Sequence, residues 1–333
     1  MTRYFRPLVQ VGSARPADAR TLAGGWGWFT HVEVLQRAAA SEIVPVAEAG
    51  DLSAFTDARP AIAGLNWDKP HVMGILNTTP DSFSDGGHNT GGAGERHAQD
   101  MVAAGASLID VGGESTRPGA VTVPVDEEVA RTAPTIKALR NGGLTVPISI
   151  DTRKAEVAAR AIEAGADIVN DVSGFTFDPA LAPLCAARDI PVCVMHAQGD
   201  PATMQDAPYY ENVILDVFDY LQDRINALVA MGIPRTQIIA DPGIGFGKTQ
   251  AHNLAILQNL SLYHGLGVPI LLGASRKRFI GAISGASEAA ARGPGSVGVA
   301  LAALGQGVQL IRAHDVAMHV QAIALWRASV ANV

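Results

Sequence analysis

The sequence predicts an α/β protein: an eight-stranded (β/α)₈ barrel of the TIM type behind a short N-terminal extension holding one or two strands. Three observations predict it. Eight short apolar runs recur between Val72 and Ile311, most of them ending in a polar or charged residue. Successive runs start roughly 20 to 50 residues apart, with helical patterns mostly between them. Residues 71–330 supply about the 250 residues that such a barrel needs. An open doubly wound sheet would give the same alternation. The count of eight short runs favours the closed barrel. Catalytic groups of these barrels sit at the C-terminal ends of the strands, so the pattern proposes a fold and a site together.

Residues 1–66 read as the extension and residues 67–333 as the barrel domain. In the extension, Trp28–Leu35 partly alternates in polarity, as a half-buried strand does, and Ile43–Val46 is a second candidate. Trp26 and Trp28 stand among glycines. Packing of the extension onto the barrel is favoured for them over a binding surface.

The barrel runs follow in order. Val72–Leu76 leads into Asn77, Leu108–Ile109 into Asp110, and Ile148–Ile150 into Asp151. Ile168–Val169 leads into Asn170 and Asp171, Val192–Met195 into His196, and Ile238–Ala240 into Asp241. Ile270–Leu272 precedes Gly273, and Leu310–Ile311 precedes Arg312. The clearest helix is Glu211–Met231, where Ile214, Val217, Phe218, Leu221, Ile225 and Leu228 share one face and Gly232 and Pro234 end it. Asp126–Arg140, Arg153–Ala164, His252–Tyr263 and Ala317–Ala328 read as further helices. Gly-Ala or Gly-Val steps before several strands suit the left-handed turn that ends a helix.

Composition bounds the function classes. With 333 residues, 48% of them hydrophobic, the chain can bury a large core. A net charge of −7 gives no sign of nucleic-acid binding. Cys185 and Cys193 read as buried, reduced thiols. No apolar stretch is long enough to span a membrane, and the start lacks a leader pattern, so the expected location is cytoplasmic.

The loops after the strands carry the candidate chemistry. Asn77 opens a long polar loop ending in Gly86-Gly87. Gly112-Gly113 opens another, in which Thr116 and Arg117 supply donors for an anion ahead of Pro118. Two such loops side by side suit a lid that excludes water. Asp151, Asn170 and Asp241 end three different strands and converge on one pocket, where they suit a flat nitrogen heterocycle or a metal. Helix capping competes for Asp151. Gly247-Lys248-Thr249 imitates a phosphate-binding P-loop. That motif needs a glycine five positions before the glycine of its Gly-Lys pair, and here that position is Pro242. A ligand floor with Phe246 as an aromatic face fits better. Ser275-Arg276-Lys277-Arg278 and the alternating pair Arg312 and His314 read as phosphate or carboxylate sites on the last two strands.

These blocks together resemble the dihydropteroate synthases, the folate-pathway family. The resemblance runs from about His71 to Val330 through VMGILNTTPDSFSDGG (Val72–Gly87), IDVGGESTRPGA (Ile109–Ala120), ISIDTRK (Ile148–Lys154) and IVNDVSG (Ile168–Gly174). It continues through VCVMHAQGDP (Val192–Pro201), IADPGIGFGKT (Ile239–Thr249), LLGASRK (Leu271–Lys277) and IRAHDV (Ile311–Val316). Eight ordered blocks are specific where no single block would be.

The resemblance implies a (β/α)₈ barrel that joins 6-hydroxymethyl-7,8-dihydropterin pyrophosphate to 4-aminobenzoate, releasing pyrophosphate. It assigns Asp151, Asn170, Met195, Asp241, Gly245 and Lys277 to the pterin. It assigns Asn77, Thr116, Arg312 and His314 to the pyrophosphate, with Mg²⁺ bridging Asn77 and the phosphates. Thr116, Arg117, Pro118, Phe246, Ser275 and Lys277 shape the aminobenzoate pocket. Asp151, Lys277, Asn77, Arg312 and His314 are the expected catalytic groups. Sulfonamides are expected to compete with aminobenzoate, and a homodimer is expected. The departures are Thr78, where the family commonly has a hydrophobic residue, and the extension itself. Two alternatives stand beside this: a methyltetrahydrofolate-dependent methyltransferase barrel, and a catalytically silent pterin-binding paralogue. Schiff-base chemistry at Lys277 is a further option that borohydride trapping would reveal.

Overall fold

The computed structural model describes residues 2–78, 92–115, 120–199 and 204–330. Its centre is a parallel sheet of eight strands: β6 (His71–Asn77), β7 (Leu108–Gly112), β8 (Ile148–Asp151), β9 (Ile168–Asp171), β10 (Val192–Met195), β11 (Ile238–Asp241), β12 (Leu271–Leu272) and β13 (Leu310–Ala313). The spatial order is β11-β10-β9-β8-β7-β6-β13-β12, and a parallel bridge from Ala240 to Ile270 closes the ring. Each predicted apolar run is one of these strands, and for most of them the polar residue that follows is still in the sheet.

Period-two alternation sorts each strand into residues facing the axis and residues facing the helices. Ile109, Ile150, Val169, Val194 and Ile311 face outward into the main core. Met73, Leu108, Ile168, Cys193, Ile239, Leu271 and Leu310 form an apolar layer on the axis, closed from below by Ile62, Leu65 and Trp67. Two residues further along the same strands, the axial positions become Asp110, Asn170, Met195, Asp241 and Arg312. The apolar plug thus dictates by register which polar groups enter the barrel, since a slip of one residue would turn them all outward.

Helices α2 (Ala93–Ala103), α3 (Val125–Asn141), α4 (Ala155–Ala164), α5 (Leu181–Ala187), α6 (Val213–Ala230) and α7 (Gln250–Gln258) occupy the crossovers up to β12. The α8 (Arg278–Ser284) and α9 (Gly293–Leu304) helices fill the next one, and α10 (Val316–Val330) follows β13. The helix expected over His252–Tyr263 breaks in two. A box between Thr249 and His252 caps α7, which stops at Gln258, and Leu260–Leu266 continues as a 3₁₀ helix. That tighter segment meets the extension, where Ser261 Oγ donates to the Pro7 carbonyl at 2.8 Å. The α8–α9 pair has no counterpart in the sequence reading.

Among the described residues the extension holds five strands and one short helix, α1 (Ser53–Thr56). One sheet has the antiparallel order β1 (Tyr4–Pro7), β4 (His31–Gln36), β5 (Ala39–Pro45); β2 (Arg20–Thr21) pairs with β3 (Trp28–Phe29). The predicted Trp28–Leu35 run is divided between β3 and β4, and Ile43–Val46 lies mostly within β5. Tyr4 Oη donates to Asp219 at 2.9 Å, and Arg37 reaches Asp216 and Asp219 of α6 at 2.6 Å each. Trp26 Nε1 donates to the Leu304 carbonyl at 2.9 Å, and its ring meets Trp326 edge-on. Trp28 instead donates to Gly12 inside the extension. Trp26 therefore packs the extension onto the barrel as expected, whereas the Trp28 bond stays inside the extension. Cys185 and Cys193 are free and buried. Among the described residues no helix is long and apolar enough to cross a membrane.

Candidate active site

The C-terminal rim gathers groups from seven strands. Asp110 is fully buried, and Asp151, Asn170 and Asp241 are nearly so. Arg312 Nε donates to Asp110 Oδ2 at 2.6 Å and its Nη2 to Asp151 Oδ2 at 3.0 Å. Asn170 Nδ2 donates to the same Asp110 oxygen at 3.3 Å. Asp110 Oδ1 and Ser149 Oγ, on paired positions of β7 and β8, are buried polar atoms with no hydrogen-bond partner among the described residues. The interior is therefore acidic around one guanidinium.

Burial raises Asp151 to about 7, with repulsion from Asp110 adding to it and Arg312 opposing it. Burial likewise raises Asp241 to about 6, against the Gly243 N–H that donates to it and the nearby Lys277. Burial works against the Arg312 cation, but Asp110 and Asp151 outweigh it and hold its pKa above the ordinary value. Asp171, beside Asn170, points away from the axis. It accepts from the Ser173 and Phe175 backbone N–H groups and so shapes the loop.

At the outer level, Lys277 Nζ lies 4.1 Å from the centre of the Phe246 ring. Gly245 has φ +81°, and a Cβ there would stand 3.3 Å from Lys277 Cδ, so a side chain here would strain the backbone and crowd Lys277. Ser275 Oγ lies 3.0 Å from His314 Nδ1 and accepts the His314 backbone N–H at 3.1 Å. Met195 is buried, and its Cγ lies 3.3 Å from where a Gly243 Cβ would sit. A Cβ on Gly112 would find Asp151 Oδ2 at 3.7 Å and Asn77 Oδ1 at 3.9 Å, so two hard oxygens flank that glycine.

A family model described as "Pterin binding enzyme" matches residues 73–314. The dihydropteroate synthase of a Synechocystis species is 45% identical over 269 residues, covering 79% of this chain and 93% of that protein. The chain belongs to the dihydropteroate synthase family. A Yersinia pestis dihydropteroate synthase solved with a sulfonamide drug superposes with a TM-score of 0.76 at 44% identity, covering 81% of this chain and 98% of that one. A Xanthomonas albilineans dihydropteroate synthase solved with 4-aminobenzoic acid gives a TM-score of 0.76 at 43% identity, covering 81% and 97%. The same organism's protein has also been solved in complex with 7,8-dihydropteroate. The chain is accordingly a transferase of folate biosynthesis, and the methyltransferase alternative falls away.

Against the family pattern, the structure brings Asn77, Asp151, Asn170, Met195, Asp241, Gly245, Phe246, Ser275, Lys277, Arg312 and His314 to one rim. Thr116, Arg117, Pro118 and most of the Asn77 loop lie outside the described residues. Asp151 caps no helix: α4 begins at Ala155 with Lys154 at its cap position, and Asp178 accepts the Ala155 N–H. The expected run of three cations is divided. Arg276 binds Asp315 through Nε at 3.0 Å and Nη2 at 2.5 Å, and Arg278 lies exposed on α8, which leaves Lys277 facing the site.

Two features of this synthase were not read as functional from the sequence. Asp110 was one, although its place two residues after the axial Leu108 signals it. The other is an ionic base under the second loop. Glu114 accepts from Arg153 at 2.5 Å, Lys154 at 2.6 Å and the Val123 N–H at 2.8 Å, and Lys154 also reaches Glu128. Glu114 and Lys154 together tie the two ends of that loop.

Proposed function

We propose that this rim joins a 6-hydroxymethyl-7,8-dihydropterin pyrophosphate to 4-aminobenzoate by a dissociative displacement. The observation that carries the proposal is the layering: buried carboxylates and an amide on the axis around Arg312, with Lys277 and His314 above them. Asp151, Asn170 and Asp241 offer donors and acceptors to the edge of a flat pterin, with Met195 and Gly245 beside it. Asp110 and Asp151 engage two of the five N–H donors of Arg312, which leaves others for the pyrophosphate with Asn77 and His314. As the leaving group departs, positive charge develops on the pterin methylene, and the Asp151 carboxylate opposes it electrostatically. Phe246, Ser275 and Lys277 receive the aminobenzoate, with Thr116, Arg117 and Pro118 contributing from their loop. A sulfonamide would compete there.

Mg²⁺ fits the donor set. Asn77 Oδ1 beside Asp151 supplies hard oxygen, and Mg²⁺ is usually held by few protein oxygens together with substrate phosphates. Among the described residues no cluster of three or more His, Cys, Asp and Glu would bind it without the substrate. Bound at Asn77, it would neutralise the leaving pyrophosphate.

We also assign residues 1–66 to a docked layer and residues 67–333 to the catalytic domain, with a cytoplasmic location. A homodimer would use the face where Met318 and Leu325 of α10 and Ile283 of α8 are 41%, 67% and 57% exposed. Sedimentation of Leu325→Arg as a monomer beside a dimeric parent would support it.

The deciding test is pyrophosphate release with Mg²⁺, with and without 4-aminobenzoate. Aminobenzoate-dependent release with formation of dihydropteroate is expected. Pterin binding without release would point to a silent paralogue.

A further inference from the structure

We propose that Lys248, acting through His196, is a positioning residue that holds residues 242–247 as the floor of the site. This rests on the rim being the pterin and aminobenzoate site. Lys248 is the residue that imitates a phosphate-binding lysine in sequence. The structure turns it away from solvent: it is 3% exposed. Its Nζ lies 2.8 Å from His196 Nδ1 and donates to the Gly243 carbonyl at 2.8 Å and the Phe246 carbonyl at 3.1 Å. One nitrogen thus draws both ends of the turn onto the residue that follows β10.

The contact is close on every side. Gly243 has φ +70°, and a Cβ there would stand 1.8 Å from the His196 carbonyl oxygen, so the two loops touch backbone to backbone. The His196 ring is itself held edge-on by Tyr220, with centroids 4.7 Å apart. On the other side, the turn carries the site. The Gly243 N–H donates to Asp241 Oδ1 at 2.7 Å, and the Phe246 ring lies under Lys277 Nζ. A run of contacts therefore leads from Tyr220 through His196 and Lys248 to Phe246 and Lys277. Without Lys248, the Phe246 carbonyl would lose its buried donor and the Gly243 carbonyl would keep only the Phe246 N–H at 3.2 Å, so the turn would relax. A displacement of about 1 Å at positioning groups can cost on the order of 100-fold in rate.

The test is steady-state kinetics of the full-length protein with both substrates, together with its melting temperature. Lys248→Met keeps length and bulk but removes the donors. We expect its KM values for pterin pyrophosphate and 4-aminobenzoate to rise by about tenfold or more, with kcat falling less. Lys248→Gln retains two N–H donors and should recover part of the loss. Leu139→Ala, in α3 across the barrel, should lower the melting temperature without moving either KM. Folded Lys248→Met with both KM values within about twofold of the parent would overturn the proposal, as would an equal rise in Leu139→Ala. If Lys248→Met does not fold, Lys248→Gln decides by the same KM criterion. A parent protein without turnover would sink the reading of the rim and this proposal together, whereas turnover with unmoved KM sinks this proposal alone.

Discussion

Arg312 on β13 reaches over β6 to Asp110 on β7, with Nε 2.6 Å from a carboxylate that is wholly buried. The contact orients the guanidinium and sets the charge felt by Asp151. Asp110→Asn removes one negative neighbour of Asp151, so the Asp151 carboxylate becomes easier to form. If ionised Asp151 supports the reaction, kcat/KM of the parent should rise with pH through about 7. In Asp110→Asn that limb should move to lower pH, as a pH series of initial rates would show. An unmoved limb would break the link between the two carboxyls.

The same raised pKa has a stability consequence. The ordinary value of an aspartate is about 3.9, while burial and Asp110 lift Asp151 to about 7. A carboxyl raised on folding gives stability that is complete below its unfolded value and lost as pH rises through the folded one. The part of the unfolding free energy that Asp151 contributes should therefore fall from about pH 4 to about pH 7, read as the difference between urea titrations of the parent and Asp151→Asn. Asp241, raised to about 6, adds a separate fall over the lower part of that range. Asp151→Asn should remove its own component, and a parent-minus-variant difference that climbs across this range would contradict it.

Lys277 lies at the rim over the Phe246 ring, where it meets an incoming ligand, so its loss should act chiefly on ligands. Lys277→Ala should lower kcat/KM by about 100-fold with little change in melting temperature. Lys277→Arg should recover only part, because a planar fork does not replace a compact ammonium at this ring. A Lys277→Ala protein that keeps its turnover would remove Lys277 from the site.

The extension is tied to the barrel by packing more than by charge. Arg37 and its partners Asp216 and Asp219 are 24–43% exposed, so Arg37→Ala should cost less than about 1 kcal/mol. Trp26 couples to Leu304 and Trp326, and Trp26→Ala should cost about 2 kcal/mol. Urea unfolding would rank the two, and the reverse order would mean that the interface is electrostatic. Turnover per folded molecule should stay unchanged in both.

The sequence by itself determined the barrel. Strand positions follow from apolar runs of the right length, and the rim follows from the polar residues that end them. Asn77, Asp151, Asn170, Asp241 and Arg312 could be named because a strand end is a local property. Only the tertiary structure decided how those groups are used. Asp110 joins the site because the apolar layer of Leu108, Ile168 and Ile239 sets which side of each strand faces the axis. Arg276 leaves it because Asp315, one loop away in space and 39 residues away in sequence, takes its guanidinium. Lys248 turns inward because His196 and two carbonyls surround it. The short strands β1 and β2 escaped notice because their partners, not their own sequence, make them strands. Each of these outcomes depends on pairing between distant segments, which a local pattern does not encode.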